Sequence, residues 1–238
     1  MAKMTLDELV VQLGKVFGEG LRAVVLYGSA AAGEHIPKRS DYNVLVIVDA
    51  ITTDTLQREA AVGRAWGETG SPPPLTLTSD EWRSSADISP MEYSDILERH
   101  RVLYGVLPTE GIRVDREHLR LQAEHEAMGK LLQLRQGVLR SGGDRRALVE
   151  LLAASLSTFM VIFRSVVRLH GAQPDTDYAA LSAQLSDFSG VDTSPFVAVV
   201  RHIRGEAKLS DDAVLTVLAG YLAGAQRIVV HIDQLGAA

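Results

Sequence analysis

Tyr27-Gly28-Ser29-Ala30-Ala31-Ala32-Gly33-Glu34-His35-Ile36-Pro37-Lys38-Arg39-Ser40-Asp41-Tyr42-Asn43-Val44-Leu45-Val46 is the most informative stretch of the chain. The apolar run Ala23 to Tyr27 that leads into it is short and continuous, as expected of a buried strand, and Gly28 ends it. Gly28-Ser29 then reads as a turn, and the small residues after it as a short helix. Lys38-Arg39 lie in a basic loop, and Asp41 opens a second strand whose apolar run is Val44 to Val48. Glycine leaves room for a phosphate against the backbone. The Ser29 hydroxyl and the free amides at a helix start are donors for a triphosphate, helped by the helix dipole. Residues two apart on a strand share a face, so positions 41 and 43 point at one cavity. Lys38 and Arg39 can neutralise phosphate charge. A tight strand-to-helix turn, with Asp41 as a strand-start residue, is the alternative that these residues alone allow.

With this arrangement the chain resembles the nucleotidyltransferase superfamily, in particular its kanamycin nucleotidyltransferase-like branch. The residues that carry the resemblance are the apolar strand, Gly28-Ser29, a spacer of eleven residues from Ala30 to Ser40, and then Asp41-Tyr42-Asn43-Val44. The resemblance implies an α+β fold, a mixed sheet with flanking helices, followed by an all-helical bundle. It also implies a nucleoside triphosphate as ligand, with Gly28, Ser29, Lys38, Arg39 and Ser40 as its contacts. Magnesium is the implied metal, and Asp41 and Asn43 stand at the catalytic and metal-ligand positions. Paired carboxylates there would hold two ions that clamp the attacking and leaving oxygens of an in-line displacement.

The chain departs from that pattern at two points. Position 43 is Asn43, whose neutral amide oxygen can touch magnesium but brings no charge. The third acid of the family sits on the next strand between apolar residues, and in Leu75-Thr76-Leu77 that slot holds Thr76. Asp80 and Glu81 follow closely, although Thr78-Ser79-Asp80-Glu81 reads as a helix cap. The expectation is therefore a protein that binds a nucleotide or phosphate ligand at Gly28-Ser29 and is catalytically weak or degenerate. One alternative is an active magnesium-dependent transferase that moves a nucleoside monophosphate to a small-molecule hydroxyl, using Asp41, Asn43 and an acid such as Asp80.

Around this segment the sequence punctuates itself clearly. Thr5 and Glu8 have capping-box spacing, and Leu6, Leu9, Val10, Leu13, Val16 and Phe17 follow one helical face until Gly18 and Gly20 end it. Thr53 to Trp66 reads as a helix, Gly67 to Pro74 as a break, and Leu75 to Thr78 as a third strand. Ser89-Pro90 starts a helix that runs to about Arg99, and Val102 to Tyr104 forms a last strand. Beyond Gly105 and Pro108 the strand signals stop. Glu117–Arg140, Asp144–His170, Asp177–Phe188, Pro195–Ile203 and Asp211–Leu235 read as helices. Leu148, Leu151, Leu152, Leu156, Phe159, Met160, Phe163 and Val167 make an apolar surface wide enough to require helix neighbours. The expected domains are residues 1–110, nucleotidyltransferase-like, and 111–238, a helical substrate-type domain.

The helical half offers further candidates. Arg164 and His170, six apart, resemble the arginine–histidine motif of HEPN-type ribonucleases, which makes a ribonuclease or toxin–antitoxin component a second alternative. The plainer reading is positive charge at the carboxyl end of a helix dipole. His118, Glu124, His125 and Glu126 read as a solvated helix face, although a carboxylate such as Glu124 or Glu126 could activate an acceptor hydroxyl.

Composition bounds the rest. The chain has 238 residues, 46% apolar and 23% charged, with a net charge of −6. That is ordinary globular usage without an overall basic footprint, so nucleic acid is not expected as a partner. Absence of cysteine excludes disulfides, thiol catalysis and cysteine-based zinc sites. The most apolar run, Leu151 to Phe163, falls short of the ~20 residues of a bilayer-spanning helix. With no apolar leader at Met1-Ala2-Lys3-Met4, the expected location is the cytoplasm, free of the membrane. A nucleotide or phosphate-bearing small molecule is the expected partner, and a homodimer is one assembly open to the fold.

Overall fold

A computed structural model describes residues 3–28, 30–31 and 42–236. Within these, the chain divides into two compact units, Met1–Val114 and Asp115–Ala238. The first holds a four-stranded sheet in the order β3-β2-β1-β4. Its strands are β1 (Leu21–Tyr27), β2 (Asn43–Val48), β3 (Leu75–Thr78) and β4 (His100–Gly105). β1 runs antiparallel to both β2 and β4, whereas β2 and β3 are parallel, so the sheet is mixed.

Both faces of the sheet are covered, which explains why β1 and β2 read as unbroken apolar runs rather than alternating ones. One face carries Val24, Leu26, Val44, Val46 and Val48. They pack on α1 (Leu6–Phe17) through Leu9, Leu13 and Val16, and on α2 (Thr53–Gly67) through Val62 and Trp66. The other face carries Ala23, Val25, Leu45 and Ile47. These meet Trp82 of α3 (Ser79–Ser84) and Tyr93 and Ile96 of α4 (Pro90–Glu98). Trp82 and Tyr93 stack with centroids 4.3 Å apart, and both polar tips are satisfied: Trp82 donates to the Pro108 carbonyl at 2.7 Å and Tyr93 to that of Trp82 at 2.6 Å. The expected capping boxes exist at Thr5/Glu8 and Thr78/Glu81, each satisfying two backbone donors.

The second unit is all helix: α5 (Arg116–Ser141), α6 (Arg145–Leu169), α7 (Tyr178–Ser189), α8 (Ser194–Arg204) and α9 (Val214–Gln234). Asp115, Asp144 and Asp177 cap α5, α6 and α7, each accepting two backbone N–H groups of the first turn. α6 is central and packs on α5, α7, α8 and α9. Phe159, Phe163, Phe196 and Tyr221 interlock edge to face around it, and the buried Tyr221 hydroxyl lies 2.9 Å from Ser155 Oγ. By length and composition α6 and α9 could each cross a membrane, which the shorter run Leu151 to Phe163 did not suggest. In the fold Leu152, Phe159, Met160 and Phe163 of α6 and Tyr221, Ile228 and Ile232 of α9 are fully buried against neighbouring helices.

Candidate functional site

Gly28 follows the last residue of β1 with φ +75°, the left-handed region that glycine enters without penalty. Its carbonyl accepts the Ala31 N–H at 3.1 Å, closing a turn immediately beyond the strand. A Cβ at this position would lie 3.0 Å from Nδ2 of Asn43. The backbone corner and the Asn43 amide are therefore in direct apposition, and any side chain at 28 would fill the space between them.

Register brings further polar groups into line. Asn43 opens β2 opposite Tyr27, and Tyr27 is opposite His100 at the start of β4. A cross-strand row Asn43–Tyr27–His100 thus borders the Gly28 corner, and opposed residues on neighbouring strands share a face. His100 Nδ1 lies 2.7 Å from the Ile96 carbonyl. A carbonyl only accepts, so Nδ1 carries the hydrogen of this bond. Burial, then the nearby Glu92 carboxylate, push the Tyr27 hydroxyl above the usual phenol range, so it stays protonated. Pairing of β1 with β4 sets His100 beside Tyr27, with β1 between it and Asn43.

The register also corrects the assignment of the third acid. β2 and β3 pair in parallel with Leu45 opposite Leu75, Val46 opposite Thr76 and Ile47 opposite Leu77. Asn43, Leu45 and Ile47 share one face by alternation, so the β3 residues on that face are Leu75 and Leu77. Thr76 faces the other way. Its hydroxyl donates a short hydrogen bond to Glu59 of α2, a buried carboxylate whose pKa burial raises against the opposing effect of that bond. Thr76 therefore lies on the face of the sheet opposite to that of Asn43.

Asp80 and Glu81 are also displaced from this role. They follow Thr78, which pairs with Val48 at the far end of β2, roughly 16 Å from Asn43 at ~3.3 Å per residue. Glu81 accepts the Thr78 N–H at 2.8 Å within its capping box, and the exposed Asp80 pairs with Arg83. Ser29, Lys38, Arg39, Ser40 and Asp41 lie outside the described residues. Of the expected site, the fold thus places Gly28 and Asn43 side by side.

The candidates in the helical unit are scattered. His118 and His125 are exposed. Glu124 accepts from Arg120 Nη1 at 2.7 Å, and that guanidinium also holds Glu117. Arg164 is buried on α6, and the Nε2 atom of His170 faces that of His231 at 2.9 Å. Among the described residues, no group of three or more His, Asp or Glu side chains is arranged to hold a metal ion.

No family model matches the sequence, and no curated protein matches it significantly. Among solved structures, the chain is similar to spectinomycin adenyltransferase AAD(9) from Enterococcus faecialis, determined with ATP and spectinomycin. The TM-score is 0.57 at 13% identity, over 92% of this chain and 96% of that one. The chain has the nucleotidyltransferase fold. For a nucleotidyltransferase fold, the mixed sheet with Gly28 at the exit of β1 and the helical second unit are the expected parts. The likeness covers the helical unit as well as the sheet, so the fold resemblance is not confined to the Gly28 segment.

Proposed function

We propose that this protein binds a nucleoside triphosphate, or a similar phosphate-bearing small molecule, at the Gly28-Ser29 corner and is a weak or degenerate nucleotidyltransferase. The observation that carries the reading is the apposition of Gly28 and Asn43, with Leu75 and Leu77 as the residues of β3 on the same face. The corner offers a backbone free of side chain, as a phosphate needs. Ser29, Lys38, Arg39 and Ser40 are its further proposed contacts, placed by sequence.

The donor set fits a single hard cation better than a pair. Asp41 supplies one carboxylate by sequence and Asn43 one neutral oxygen, whereas a two-ion clamp draws on several carboxylates. When bound, magnesium would supply charge to the phosphates and polarise the transferred phosphoryl group. Two missing carboxylates, at about 2 kcal/mol each, amount to roughly a thousandfold loss of rate. The chain's own residues would then bind and orient the triphosphate more effectively than they promote its attack.

The test is calorimetric titration of a non-hydrolysable nucleoside triphosphate with and without magnesium, together with a pyrophosphate-release assay. Binding that weakens in Asp41→Ala, without appreciable pyrophosphate release, is the expected result. Failure to bind any of the four nucleoside triphosphates would remove the proposal. The specific similarity to an adenyltransferase determined with ATP and spectinomycin favours one second reading. On that reading this chain transfers a nucleoside monophosphate to a small hydroxylated acceptor, and pyrophosphate release abolished in Asp41→Ala would establish it. Cytoplasmic location belongs to both readings.

A further inference from the structure

We propose that His170 and His231 form a one-proton latch that ties the C-terminal end of α6 to α9 and opens in acid. The two Nε2 atoms are 2.9 Å apart, a hydrogen-bond distance. The ring centroids are 5.2 Å apart, about as far as two imidazoles joined at 2.9 Å can reach, with only 20° between their planes. The rings therefore meet head to head along one line rather than face to face. That line is the geometry of an N–H···N bond. Two imidazoles on a tetrahedral metal converge at an angle and stand further apart than hydrogen-bond distance, because each needs ~2.0–2.1 Å to the ion.

Only one hydrogen can occupy the space between the two Nε2 atoms. In the neutral pair one ring donates Nε2–H, and the other accepts at Nε2 and carries its own hydrogen on Nδ1. A first added proton goes to the remaining bare Nδ1, leaving the bridge in place with one positive charge. A second added proton places hydrogens on both facing nitrogens. The bond is then lost and two cations confront one another.

The surroundings favour the neutral pair. From α5, the Arg116 guanidinium acts on His170 with like charge, and its Nη2 donates to the Leu169 carbonyl at 3.3 Å. From α7, Phe188 stacks uncharged on His170 with centroids 4.7 Å apart and planes 7° from parallel. From α9, His231 itself is the charge-bearing group that faces His170, and Arg227 lies one turn before it. Among the described residues, the charged groups that shift the two rings are Arg116 and the rings themselves, and none is a carboxylate. Burial, then the Arg116 charge, lowers the His170 imidazole below its ordinary value, and burial, then His170, lowers that of His231. Protons reach the pair from a groove of about 450 Å³ between the end of α7 and α9, lined by Gly190, Val191, Ala223, Arg227 and His231. Because His170 ends α6, stacks on α7 and bonds to α9, opening the latch loosens three helices at one junction.

The experiment uses the full chain labelled with ¹⁵N. At neutral pH, histidine NMR should show one protonated and one bare Nε2 in this pair, with a scalar coupling across the bridge. The thermal midpoint should fall as pH drops from 7 to 5, and His231→Gln, whose amide can still donate to His170, should lose roughly half of that dependence. Two rings of the same tautomer without coupling would overturn the proposal. So would a pH slope unchanged in His231→Gln, or one equivalent of zinc that binds both rings and raises the midpoint.

Discussion

The contact between Gly28 and Asn43 makes each residue a separate probe of the site. Gly28→Ala must place its methyl group 3.0 Å from the Asn43 amide while holding φ at +75°. A left-handed alanine costs about 1–2 kcal/mol, and the displaced amide disturbs the corner that the phosphate would approach. The expected outcome is a lower urea midpoint together with loss of triphosphate binding by calorimetry. Asn43→Asp restores a charged oxygen without changing side-chain size. It should raise magnesium-dependent triphosphate affinity about tenfold, a gain of ~1.4 kcal/mol, and leave magnesium-free binding no stronger. Equal affinity with and without the metal would show that position 43 does not address the cation. The sequence exposes both residues through strand–Gly-Ser–spacer–Asp spacing. It cannot assign Thr76, because which side of the sheet a residue faces depends on the parity of pairing with β2, and a single residue of register reverses it.

Element limits follow from local chemistry and were readable for that reason. Thr5 with Glu8 and Thr78 with Glu81 cap helices through their own side chains, and Asp115, Asp144 and Asp177 do so with one carboxylate each. What long-range pairing decides was not readable, and Gly105 illustrates this. The sequence marks it as the point where strand signals end, yet it is the last residue of β4, opposite Ala23, with φ +69°. A Cβ there would lie 1.9 Å from the Arg22 carbonyl oxygen, an overlap of backbone that no rotamer relieves. Gly105→Ala should cost about 3 kcal/mol or more by urea denaturation. Gly142→Ala, at φ +56° with open space around it, is the control and should cost only about 1–2 kcal/mol. Similar losses in both variants would mean that β1 and β4 can part without penalty.

The buried link between α2 and β3 carries a pH signature at the same scale. Burial raises Glu59 above the ordinary carboxylate range, despite the bond from Thr76. Between the unfolded and folded values the native state binds more protons than the unfolded one, so this group's contribution is complete in acid and disappears as pH rises through the folded value. At neutral pH the buried charge is a net cost. Glu59→Gln keeps an oxygen to accept from Thr76 without that charge, and should leave the fold intact while raising the thermal midpoint at pH 7. A lower midpoint in Glu59→Gln than in the wild type would mean that the carboxylate is stabilised by contacts beyond Thr76.

At the scale of the molecule, the change from strand to purely helical periodicity after Gly105 and Pro108 reflects two ways of burying apolar surface. The sheet is covered on both faces within Met1–Val114, and the aromatic cluster around α6 is closed by α8 and α9 within Asp115–Ala238. We infer that the helical half is a domain that folds in its own right. Residues 115–238 expressed alone should then be helical by circular dichroism and melt cooperatively, since Phe159, Phe163, Phe196 and Tyr221 all keep their partners. The His170–His231 pair lies wholly inside this fragment, so its acid sensitivity should persist there. Below about pH 6.5, where unfolded histidine begins to take up protons that the native pair refuses, the fragment's midpoint should decline. The Glu59 effect, which belongs to the other unit, should be absent from it. A fragment that melts without cooperativity would mean that the aromatic cluster needs the first 114 residues to order it, and the domain assignment would give way to a single folding unit.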